Sequence, residues 1–173
     1  MSTYVVGPIS TGAVTAAGPI TAEAALTVAG AVTTPHAAAA LGTTYTTTST
    51  TAVSTGFGAS LASPGSVLGW IVHAVVANNT AGDGGQLTLY RSTAGIPAAG
   101  SAPAAGDVAV WTSGPLLSTA ANQSQGAGGD YLDTGLTAGT TYYYYLAVQA
   151  VTGGTASVVA DTGATTVLIR AVA

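Results

Sequence analysis

The sequence predicts an all-β domain, an antiparallel β-sandwich preceded by an extended N-terminal arm. From Ser66 onward, strand-sized runs of β-branched and aromatic residues alternate with turns built from Asn, Asp, Gly and Pro. No stretch carries a helical period of any length. The first 33 residues hold only short Val, Ile and Thr segments between Gly-Pro breaks, with too little apolar bulk for a core.

The elements follow in chain order. Gly7-Pro8-Ile9-Ser10 recurs as Gly18-Pro19-Ile20-Thr21, with Val14 and Leu26 in the small segments after each copy. Gly-Pro restricts such segments to extended or edge conformations. An arm of this kind is expected to dock on another subunit. Residues 34–65 read as an Ala/Thr-rich connector and first strand. Within it, Ala37 to Leu41 is expected to make one helical turn after Pro35, because Ala is the best helix former. The Thr/Ser stretch from Thr43 to Thr55 reads as a polar strand or lead-in.

Residues 66–173 read as the sandwich itself. Val67 to Ala77 is a long strand, Asn78 to Gly85 a turn, and Gln86 to Arg91 an alternating partner strand, so the pair forms a hairpin. Further strands are expected at Asp107–Thr112, Leu116–Leu117, Tyr131–Thr134, Thr140–Val151, Thr155–Val159 and Thr165–Val172. Ser118 to Gly129 reads as a polar loop.

Composition narrows the function. Ala, Thr and Gly make up just over half of the 173 residues, and charged residues only 5%, against about 25% in typical soluble domains. There is no Lys; Arg91 and Arg170 are the basic residues, and the net charge is −4. Neutralising phosphates needs clustered Lys or Arg, so a nucleic-acid interface is not expected. A helix lying on an anionic membrane is not expected for the same reason. The best apolar run contains His73 and is far shorter than the ~20 residues of a spanning helix. The N-terminal residues lack the basic and apolar regions of a signal peptide. Without cysteine there is neither a disulfide framework nor a thiolate metal site. A subunit covered by neighbours in an assembly has less need of surface charge than a free monomer.

Leu136-Thr137-Ala138-Gly139-Thr140-Thr141-Tyr142 resembles the tyrosine corner of fibronectin-type and related sandwiches, which implies a structural role for Leu136, Gly139 and Tyr142. A wider stretch, Leu87-Thr88-Leu89-Tyr90-Arg91 through Gly95-Ile96-Pro97 to Leu136–Ala147, resembles small jelly-roll domains of tailed-bacteriophage virions. The Gly-punctuated arm is similar to the N-terminal regions of phage fibre and head-attached proteins. The resemblance implies a jelly-roll-like sandwich and a virion role.

No catalytic or metal-binding set emerges. His36 and His73 lack further ligands at metal spacing. Asp130 and Asp133 flank Tyr131-Leu132 and read as turn acids rather than a glycosidase pair or Ca²⁺ site. There is no Gly-x-Ser-x-Gly elbow. Gly82-Asp83-Gly84-Gly85 is a hairpin turn, with no Lys and no helix to cradle a phosphate. Neither a cofactor nor a metal is expected. In Tyr142-Tyr143-Tyr144-Tyr145, alternation sends Tyr142 and Tyr144 to one face and Tyr143 and Tyr145 to the other. The outward pair lies under a neighbouring loop, forms a subunit interface, or stacks on sugars. Tyr143 and Tyr145, with Ile9, Val14, Ile20 and Leu26 of the arm, are the candidate interface residues.

The expectation is therefore a non-enzymatic capsid decoration (cement) protein on the virion surface. Its expected partners are the major capsid protein and copies of itself, as a homotrimer. The alternatives are a head or tail fibre subunit that binds a receptor, or a carbohydrate-binding adhesin module.

Overall fold

A computed structural model describes residues 35–160 and 165–172 of the chain. The arm, with Ile9, Val14, Ile20 and Leu26, lies outside the described residues. The strands are β1 His36–Ala40, β2 Tyr45–Thr47, β3 Val53–Ala62, β4 Val67–Asn78 and β5 Gly84–Ser92, then β6 Val108–Leu117, β7 Ser124–Thr134, β8 Thr141–Val151, β9 Ala156–Val158 and β10 Thr166–Ala171. No helix occurs among the described residues.

All strand pairings are antiparallel, in two sheets packed face to face. One sheet runs β1-β10-β4-β9-β2, with β7 on the far side of β4; the other runs β3-β8-β5-β6. β10 and β9 follow one another along the same side of β4, and β1 and β2 follow one another outside them. Each of these pairs therefore acts as one interrupted strand. Counted that way, the sheets read first-eighth-third-sixth and second-seventh-fourth-fifth, which is the strand order of a jelly roll.

The core forms where the inward sets of the two sheets meet. β4 sends Leu68, Trp70, Val72, Ala74 and Val76 inward, while His73 faces out. β5 contributes Leu87 and Leu89, β8 contributes Tyr142, Tyr144, Leu146 and Val148, and β10 contributes Val167 and Ile169. Each fully buried Leu or Val contributes about 1.5–3 kcal/mol of hydrophobic stabilisation.

Five local expectations are corrected. β4 and β5 do not form the expected hairpin: they lie in different sheets, and the turn between them carries the chain across the sandwich so that Leu87 and Leu89 pack against the inward face of β4 instead of pairing beside it. The helical turn at Ala37–Leu41 is instead β1, paired residue for residue with β10 from His36↔Arg170 to Ala40↔Thr166. Five residues cannot offset the cost of nucleating a helix, whereas pairing with β10 satisfies the same backbone groups. The sheets also take in β1, β2 and β3, so the folded unit begins well before Ser66. β6 is one strand through Leu117, accommodating Pro115 at the edge of its sheet. Finally, β7 starts at Ser124 inside the expected loop, because glycine weakens the sequence signal of a strand that β4 then pairs throughout its length.

Candidate interaction surfaces

The corner and the tyrosine row come first, since they fix one end of β8. The hydroxyl of Tyr142 accepts a 2.9 Å hydrogen bond from the backbone N–H of Thr137. Leu136 is buried beside it, and Gly139 turns the chain with φ +79°. Gly139 N–H and Leu136 N–H donate to the carbonyls of Ser63 and Ser66, tying the corner to the β3–β4 connection.

Tyr143 and Tyr145 do share the outer face of the β3-β8-β5-β6 sheet, but their surroundings differ. Tyr143 is half-buried, whereas Tyr145 is fully buried. The 93–107 connection between β5 and β6 folds back over that face. Its Asp107 accepts a 2.7 Å bond from the Tyr145 hydroxyl, and Gly100 and Ser101 bond with the backbone of Ser54 on β3. Tyr90 stacks on Tyr145 with ring centroids 5.5 Å apart. Tyr145 is thus removed from the candidate interface: it sits under a loop of its own domain. Burial and the bond to Asp107 hold its hydroxyl well above the usual tyrosine range. Desolvation pushes the Asp107 carboxyl up, but bonds from Ser92, Tyr145 and the Ala104 N–H outweigh it and keep it below the usual carboxylate range.

A second polar group bridges the sheets. Asp133 of β7 accepts bonds from Arg91 Nη1 of β5 and from the Tyr144 hydroxyl of β8, both 2.7 Å. Arg91 also lies over the Tyr142 ring, 5.7 Å from its centroid. Asp130, three residues earlier on the same strand, faces the opposite side and approaches Arg170 at 3.9 Å. The strand's alternation therefore separates the two carboxylates. Among the described residues, no three of His, Cys, Asp or Glu come together as a metal site. His36 and His73 both lie on the outward face of their sheet.

The surface residues that sequence reasoning passed over lie on β6 and β7. Val108, Leu117, Tyr131 and Leu132 are exposed, at 44–63%. Tyr131 stacks on the buried Trp70 at 5.7 Å, and Trp111 of β6 meets Trp70 edge-on at 6.4 Å. Gly129 makes room for this group, since a Cβ there would stand 2.9 Å from Trp111 Nε1. The available signal was the aromatic-apolar pair Tyr131-Leu132 directly after a Gly-rich run. No protein-family model and no curated protein sequence matches the chain.

Proposed function

We propose that this chain is a non-enzymatic structural protein of a tailed-bacteriophage virion, a decoration (cement) subunit bound to the outer surface of the head. The observation that carries the reading is the jelly-roll strand order in a chain with 5% charged residues that leaves Val108 and Leu117 of β6, Tyr131 and Leu132 of β7, and Val172 exposed. Fold alone does not assign function; the surface chemistry favours adhesion. Such a subunit binds the major capsid protein and copies of itself by burying apolar and backbone surface across subunit junctions. The buried contacts then resist the outward pressure of packaged DNA. With two basic residues in the chain, ion pairs contribute little to that grip.

A second reading is a head or tail fibre subunit that contacts host glycans, or a carbohydrate-binding module of an adhesin. Tyr131 favours it: one face of the ring rests on Trp70 while the residue remains 63% exposed, a geometry suited to stacking on a sugar. Quantitative mass spectrometry of purified particles separates the readings. A decoration subunit is present at a copy number comparable to the major capsid protein, a fibre subunit at a small fraction of it. An adhesin module is absent from particles and binds a glycan in solution.

A further inference from the structure

The hydrogen-bonding direction along β4 settles which backbone groups β7 presents to its outer edge, where no strand pairs with it among the described residues. Val75 of β4 spends both its backbone groups away from β7: its carbonyl accepts from Val159 N–H, and its N–H donates to Thr165 Oγ1. In an antiparallel ladder alternate residues point to alternate neighbours. The β7 residues registered with Val75 and its alternates are Ser124, Gly126, Gly128, Asp130, Leu132 and Thr134. These six direct N–H and C=O outward, and all six are exposed.

The other edges of the sandwich are blunted. β6 carries Pro115 and two register shifts. β3 is bulged between Ser54 and Phe57, and the 93–107 connection bonds back to Ser54. The edge formed by β1 and β2 is interrupted between Ala40 and Tyr45. β7 has none of these features: eleven residues pair with β4 in unbroken register, without Pro or Lys. An edge of this kind is a template for another strand.

We propose that β7 is a self-association edge, pairing antiparallel with β7 of a second copy about a two-fold axis through Gly129, the midpoint of the strand. The occupant follows from the strand's own sequence. Centred there, Asp130 faces a glycine of the partner rather than its own copy, and no like charges are opposed. The glycines let the backbones approach without side-chain interference, and Leu132 and Tyr131 flank the seam as exposed apolar contacts. An isologous contact of this kind joins two subunits, so this proposal takes a dimer as the unit of assembly where the sequence expectation is a homotrimer. The proposal goes beyond the virion reading and does not depend on it.

Sedimentation of the full chain, with backbone hydrogen exchange, tests it. The expected result is a dimer with slow exchange at Gly126, Gly128, Asp130 and Leu132. Gly126→Pro removes one outward N–H, has open space around the added Cβ, and leaves the β4 ladder intact; it should give a folded monomer. Leu132→Lys keeps every backbone donor and adds a solvated charge at the seam. It should weaken the dimer by about tenfold or more, and it decides the matter should the proline variant not fold. A monomer with fast exchange at these amides would overturn the proposal. So would a trimer, or a dimer indifferent to Leu132→Lys. A monomer with protected amides would also overturn it, by assigning the edge to another segment of the same chain.

Discussion

Asp133 on β7 and Tyr144 on β8 meet across the sandwich through a 2.7 Å bond from the phenol to the carboxylate, whose other oxygen takes Arg91. Three strands of two sheets are thereby joined by one acid. Asp133→Ala would leave a buried phenol and a mostly buried guanidinium without their acceptor. The expected loss is about 2 kcal/mol, between that of an exposed pair and that of a fully buried one. Asp133→Asn, which keeps a carbonyl acceptor, should lose less. Urea unfolding of the two variants measures both.

Tyr142→Phe removes the acceptor of the Thr137 N–H and nothing else, since the ring stays under Arg91. Thr137 is exposed, so water can replace the lost partner. The expected cost is about 1 kcal/mol with the fold unchanged. An unaltered urea midpoint would show that the corner bond contributes no stability.

The strands with a clean alternation were legible from sequence because burial on one face leaves a period of two. In β5, the buried Leu87 and Leu89 stand between half-buried Gln86, Thr88 and Tyr90. The Leu136–Tyr142 corner was legible as well, because its bond is local and its spacing fixed. Tyr145 was not, because its burial depends on a distant Pro/Ala/Gly connection whose composition carries no sign that it folds back. β1 and β7 were obscured by Ala and Gly, whose small side chains express little preference until a neighbouring strand supplies the hydrogen bonds.

Gly58 in β3 permits the closest approach in the β3–β8 pair. A Cβ there would collide with the carbonyl oxygen of Tyr144 and stand 2.7 Å from the Cα of Tyr145. Both are backbone atoms and cannot swing aside. Gly58→Ala should therefore cost about 3 kcal/mol or more, read as a lowered melting temperature. Gly65→Ala, with open space around its Cβ, is the control and should melt close to the unsubstituted chain.

The buried phenols make stability fall at alkaline pH. Burial and a carboxylate partner raise the folded pKa of both Tyr144 and Tyr145. Their contribution is complete below the unfolded tyrosine value of about 10 and is lost as pH rises above it, because only the unfolded chain then releases those protons. Asp107, held below its ordinary value, acts in the opposite sense: its contribution is present above about pH 4 and fades as pH falls through its folded value. Tyrosinate absorbance during an alkaline titration should show two phenols ionising only with unfolding. Tyr145→Phe should reduce that number by one and flatten the alkaline loss of stability.

The proposed adhesive role is tested most directly on heads from a phage deleted for the gene, mixed with the purified full chain and heated. The expected result is saturable binding to the head surface, a higher temperature for DNA release, and retention at about 1 M salt, where screening confines charge interactions to roughly 3 Å. Heads that neither bind the chain nor gain heat resistance would contradict it.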